Sequence, residues 1–332
     1  MPIPIIIGVA AAAAGLYGVA KGVSGAIDHS DAKDITNDAN NLVANAQLKV
    51  EKFREKANSA LEDYGQRKLR AFNGTVADFI DTYGKLKNVR LEQSVELDKL
   101  NLGDFSNNIR ELKHDYKALQ DAGLGLGAGL TSGAALAFGA YNGTMILATA
   151  STGTAISSLG GVAATNATLA WLGGGSLAAG GYGMAGGMMV LGGIVAGPAL
   201  AIFGHILGNK GEEALNQAKA NMEKAKTASD EADILSDKLF AIEQVTSLAN
   251  KTFSAVSTHL RREVHELKAV IKNSGEDFTA YSIAEKHQVF KTVKIAQLIK
   301  AMLDTAILDT DGNLVLSTKK NIEEINNQLS NI

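Results

Sequence analysis

The chain has 332 residues, 46% of them hydrophobic, a formal net charge of -3 at pH 7 and no cysteine. That size and apolar content suffice for one large core or two smaller ones, and the near-neutral charge supplies no basic field for nucleic acid. Disulfides, thiolate nucleophiles and Cys-based metal sites are excluded, while the cellular compartment stays open.

Proline occurs only at Pro2, Pro4 and Pro198, so long helices are the natural reading. The 35 glycines gather near the N-terminus and between Gly123 and Gly211. An all-α chain follows: an elongated long-helix bundle with a central Gly/Ala-rich apolar helical hairpin region and a small C-terminal turn or β-hairpin. Four regions are expected. Residues 1–28 form an apolar N-terminal helix, 29–121 the first long-helix half of the bundle, 122–209 the Gly/Ala-rich block, and 210–332 the second long-helix half with C-terminal helices.

The run Ile3 to Ala20 has the length of a short membrane span but lacks the basic start of a signal peptide. Ala11 with Gly15, Ala14 with Gly18, and Gly18 with Gly22 give a flat face for close helix packing, in a membrane or in a soluble bundle. From Asp31 an amphipathic pattern sets in, with Ile35, Ala39, Leu42, Ala46, Val50, Phe53, Ala57, Ala60, Tyr64, Phe72, Val76, Phe79, Tyr83 and Leu86 on one stripe. Ser30 or Asp28 is the expected N-cap, and Gly65, Gly74 and Gly84 the expected bends. A helix from Asp31 to Leu86 would run roughly 80 Å. A connection from Asn88 to Gly103 and a helix from Asp104 to Ala122, carrying Phe105, Ile109, Leu112, Tyr116 and Leu119, lead into the central block.

From Ala122 to Asn209 there is no Asp, Glu, Lys or Arg. The block divides at Ser151–Thr154 and Gly173–Ser176 into segments near Leu124–Ala150, Ile156–Leu172 and Leu177–Leu207, of which the first and third are long enough to cross hydrocarbon. Leu124, Leu136, Phe138, Ile146, Leu147, Trp171, Leu172, Met188, Leu191, Ile194, Ile202 and Phe203 are the expected membrane-inserting side chains. Gly129 with Gly133, Gly183 with Gly187, and Gly193 with Gly197 are the expected packing pairs. Small residues make insertion only weakly favourable per position, and they equally suit a segment folded against its own bundle in water and released later. Trp171 and Tyr182 flank the glycine turn, as interfacial aromatics do and as ordinary core packing also allows.

Charge returns after Lys210. A second long helix carries Leu235, Leu239, Ile242, Val245, Ala249, Phe253, Val256, Leu260, Val264, Leu267 and Ile271, and stops at Asn273-Ser274-Gly275. A helix from Ala280 to Leu308 follows, then a tight turn at Asp309–Asn313, with Ser317 as the cap of a final short helix.

Chemistry is sought without result. Gly181–Gly186 spells GxGxxG but lacks the strand and the distal acid that a dinucleotide needs, and Gly204–Gly211 lacks phosphate-loop spacing. Asp309, Asp311 and Asn313 begin a calcium-like loop whose twelfth position is Lys320 instead of Glu. His29, His114, His205, His259, His265 and His287 show no metal spacing; His205 alone titrates near neutral inside the charge-free block. The lysines and arginines of the long helices, interleaved with acids, read as a solvated face. No catalytic, cofactor-binding or metal-ligating residue is therefore assigned, and neither an enzyme nor a cofactor is expected.

Two long amphipathic helices around a charge-free centre resemble the α-helical pore-forming toxins typified by cytolysin A and the haemolysin BL components. That resemblance implies an apolar hairpin stored against a bundle and released into a bilayer. The stretch Ala163–Ser176 is also similar to an uncharacterised bacterial Gly/Ala-rich helical family. The apolar N-terminal helix and the length of the block depart from the toxin layout and suit a membrane-resident protein. The expected partners are a lipid bilayer and either further copies of the chain or a helical protein, with no nucleic acid and no small-molecule substrate. The expected location is membrane-associated, with a soluble precursor form. The competing reading is a soluble or peripheral coiled-coil scaffold whose core is the Gly/Ala block.

Overall fold

The structure is a computed structural model that describes residues 26–89, 105–121, 135, 138–140, 214–309 and 312–332. Of these, 87% are helical and none forms a strand, which makes the chain an all-α bundle of long helices. Helix α1 (Ala26–Ala71) passes through a π-helical segment, Phe72–Val76, directly into α2 (Ala77–Tyr83). Then come α3 (Phe105–Asp121), α4 (Ala214–Ser274), α5 (Ile283–Asp304) and α6 (Thr318–Ser330), with a 3-10 turn at Phe278–Ala280.

Boundaries follow local chemistry, with three corrections. Ser30 and Asp28 lie inside α1 and cannot be its N-cap, because the helical hydrogen bonding already includes Ala26 and Ile27. Gly65 does not bend the chain, which stays α-helical through Ala71. Ser317 occupies the cap position of α6, but its own backbone is helical and its side chain makes no capping bond. Gly74 lies in the π-helical segment and Gly84 ends α2, its N–H donating to the Ile80 carbonyl at 2.9 Å. One added residue in the π turn rotates the stripe, so that Phe72, Val76 and Phe79 are all buried. Gly275 stops α4 with φ 81, a left-handed conformation that glycine adopts without a Cβ clash. A capping box opens α5: the Ser282 hydroxyl accepts from the Glu285 N–H, and the Glu285 carboxylate accepts from the Ser282 N–H at 2.8 Å.

The turn after α5 is present without a hairpin ladder. The Gly312 N–H donates to the Asp309 carbonyl at 3.0 Å, and Leu308 and Leu314 form a single antiparallel bridge.

Helices α1 and α4 are parallel neighbours. Phe53 meets Phe240, the Asn250 amide donates to the Ala60 carbonyl, Tyr64 meets Phe253 and Lys268 pairs with Asp78, so the two numberings rise together. On α4 the contact line repeats every seventh residue through Ala218, Ala225, Ala232, Leu239, Thr246, Phe253, Leu260 and Leu267, all buried. Seven-residue spacing is the period of a left-handed coiled coil, and it accounts for how a helix of 61 residues keeps one face covered.

Two compact units divide the described residues. The first holds α1 to Ala57 and α4 to Ala241, with Ala39, Ala46, Val50 and Ala57 on the inner face of α1. The second holds the remainder, with large side chains such as Tyr64, Phe79, Phe253 and Leu260 at its centre. Here α5 is enclosed on all sides from Thr292 to Lys300, and α3 and α6 pack on it.

Candidate functional site: the docking point of the apolar block

Four residues of the charge-free block are described, and all four are helical: Ala135, Phe138, Gly139 and Ala140. They lie on α1. A Cβ built on Gly65 would sit 1.8 Å from the Ala135 carbonyl oxygen, and one on Gly139 would sit 1.8 Å from the Leu61 carbonyl oxygen. The two backbones are therefore in contact, and only hydrogen fits at either position. This is the small-residue crossing expected within the block, made instead between the block and α1.

Around this crossing the contacts become specific. Phe138 is 1% exposed and stacks on Phe72 with ring centroids 6.3 Å apart. The Lys68 ammonium group donates to the Phe138 carbonyl at 3.3 Å and lies 4.4 Å from the Tyr64 ring centroid and 5.5 Å from that of Phe138. The Tyr64 hydroxyl donates to the Met302 carbonyl at 3.2 Å. Ala140 ends the described stretch, and its carbonyl accepts from the N–H groups of Ile307 at 2.8 Å and Leu308 at 2.9 Å. The chain leaving α5 thus satisfies a carbonyl that the helical segment presents.

Burial sets the electrostatics. It pushes the Lys68 amine down to about 7, and the negative charge of Asp304 pulls the other way. Burial likewise raises the Tyr64 phenol far above its ordinary value, so Tyr64 remains a neutral donor. Beside them, Lys300 lies 2.6 Å from Asp304, 3.5 Å from Glu111 and 3.6 Å from Asp115. Burial works to lower Lys300, but the hydrogen bond and the acidic charges outweigh it and leave its pKa raised. Asp304 is raised too, first by burial, against the pull of Lys300.

These lysines correct the expectation of a solvated basic face. Lys68 is 0% exposed, Lys300 6%, and Lys294 and Arg54 9% each. Lys68 falls four residues after Tyr64 and four before Phe72, at the one gap in the apolar stripe, and the helix carries it inward with its neighbours. Other surface expectations hold where side chains are described: His114, His265 and His287 are exposed.

Among the expected membrane-inserting residues only Phe138 is described. Leu124, Leu136, Ile146, Leu147, Trp171, Leu172, Met188, Leu191, Ile194, Ile202 and Phe203 lie outside the described residues, as do His205 and Gly15, Gly18, Gly22, Gly129, Gly133, Gly183, Gly187, Gly193 and Gly197. Among the described residues, no helix is long and apolar enough to cross a membrane, and no cluster of His, Asp or Glu is placed to hold a metal. Gly65, Gly139, Tyr64 and Lys68 were not singled out as site residues from the sequence; the spacing of Ala135 and Gly139, four apart, is the signal that pointed to them.

No family model matches the chain, and no curated protein or solved structure matches it.

Proposed function

We propose that the chain is a membrane-associating helical protein that oligomerises and perturbs or perforates a bilayer, with the region 122–209 as its lipid-facing part. One observation carries this reading: about ninety consecutive residues without an ionisable acid, lysine or arginine, between long helices rich in charge. Inserted backbone must be helical to satisfy its own polar groups, and small residues associate by pairing flat faces, so insertion entails self-association. The docking of Phe138 and Gly139 on α1 supports a stored state in which part of the block is held against the bundle.

The same docking also favours a second reading, a non-enzymatic scaffold in which the block never leaves the bundle. Liposome flotation with dye release distinguishes the two. The membrane reading expects co-flotation, release and cross-linked oligomers, across varied lipid composition and pH. A monomer that purifies without detergent, leaves liposomes intact and resists protease equally with and without lipid establishes the scaffold.

A further inference from the structure

We propose that Lys68 is a release device for the docked helical segment at 135–140, opposing docking whenever its amine is protonated. This deepens the stored-state reading above and rests on it for its biological meaning. The geometry is specific. Lys68 is fully buried, and in the docked state its amine is enclosed by the Tyr64 and Phe138 rings and the Phe138 carbonyl. Removing the segment removes one ring and that carbonyl, and returns the amine to water. The crossing below it has no slack, because Gly65 and Gly139 already bring backbone against backbone. The segment therefore cannot shift slightly to admit water; it is either docked or away.

The charged and titratable groups around Lys68 do not cancel this effect. From α1 comes Tyr64, which stays neutral. From α5 comes Asp304, which acts through space on Lys68 but is itself hydrogen-bonded to Lys300. From α3 come Glu111 and Asp115, both paired with Lys300. The described residues of the docked segment, Ala135 and Phe138 to Ala140, carry no titratable side chain.

The sign follows from linkage. An exposed lysine keeps its proton up to about its ordinary value of 10.5, whereas docked Lys68 sheds it above about 7. Docking is accordingly strengthened as pH rises from about 7 to 10.5, and the bias against it is complete and constant below about 7. A group present only to hold the Phe138 carbonyl would have the opposite signature, since its removal would weaken docking at every pH.

The test uses the full chain and Lys68→Met, which keeps the length of the side chain without its charge. Thermal unfolding is followed at pH 7, 8.5 and 10, with Lys294→Met as the control for the other lysine lowered by burial. The expected result is that Lys68→Met melts above wild type at pH 7 and that the gap closes towards pH 10. In the otherwise cysteine-free chain, Ala140→Cys reports undocking by thiol labelling, which Lys68→Met should slow at least tenfold at pH 7. A variant that melts lower at pH 7, a gap independent of pH, or unchanged labelling overturns the proposal. Dye release from phosphatidylcholine–phosphatidylglycerol vesicles separates the two levels. If neither protein releases dye while the melting and labelling results hold, the membrane function falls and the device stands; equal release by both overturns the device.

Discussion

The two units use the same pair of parallel helices with different side chains between them. In the first, the α4 seam is Ala218, Ala225, Ala228 and Ala232, facing an α1 lined by Ala39 and Ala46. In the second it is Phe253, Val256, Leu260 and Leu267, and α1 supplies Leu61, Tyr64, Phe72 and Phe79. A buried methyl contributes about 0.8 kcal/mol and a buried leucine or phenylalanine about 1.5–3 kcal/mol. Large apolar side chains of the first unit, Leu48, Ile234 and Phe240, also remain exposed. An unbroken helix is thus strongly anchored along one stretch and weakly along another, and the segment 135–140 docks on the strongly anchored stretch.

The largest expected effect tests that difference directly. Phe253→Ala, which removes a fully buried ring packed edge-on to Tyr64, should cost about 3–5 kcal/mol in urea unfolding. Ala225→Gly in the alanine seam should cost only about 1 kcal/mol, through helix propensity and one lost methyl. Equal losses would end the comparison. Hydrogen exchange resolved along the helices should show amides of α1 before Ala57 exchanging faster than those after Leu61.

Next in size is a contrast of sign within α1 and its continuation. Gly65→Ala puts a carbon 1.8 Å from the Ala135 oxygen and should lose about 2–3 kcal/mol, despite a better helix former. Gly74→Ala meets nothing within 4 Å and should gain up to about 1 kcal/mol. Stabilisation by both would mean that the block does not rest on α1.

Lys300→Met should cost about 2 kcal/mol at pH 7, since it strands Asp304, Glu111 and Asp115 around an apolar group while two of those acids remain partly solvated. The pKa of Lys300 is raised, so its contribution is complete below its ordinary value and is lost as pH rises through the folded value. Asp304 is raised as well, so acidification, by protonating it, should narrow the gap between variant and wild type in unfolding curves. A gap that widens in acid would contradict the assignment.

The smallest effects distinguish two serines that look alike. Ser282→Ala removes a capping box and should cost about 1 kcal/mol. Ser317→Ala removes no capping bond and should change stability by less than about 0.5 kcal/mol. Calorimetry on both variants reads this contrast.

Helix placement was legible because its signals are local. The stripe from Ile35 to Tyr83, the stop at Gly275 and the Asp309–Asn313 turn each depend on a few neighbouring residues, and each is where the pattern put it. Misreadings arose where the deciding partner is distant in sequence. Gly65 looks like a bend until Ala135 is set against it, and Lys68 looks solvated until Phe138 covers it. Ser30 was misread for a smaller reason: a good cap can also be accommodated inside a longer helix.

By itself the sequence determined an all-helical chain, two long helices with a continuous apolar stripe, and a charge-free block between them, because period, proline scarcity and charge are properties of neighbouring residues. Only the tertiary structure decided that the long helices run parallel, that one contact line repeats by sevens from alanine to leucine and phenylalanine, and that a lysine lies where the block meets α1. Those outcomes depend on which distant surfaces come together, and the energy of a glycine or a lysine changes sign with what is placed against it.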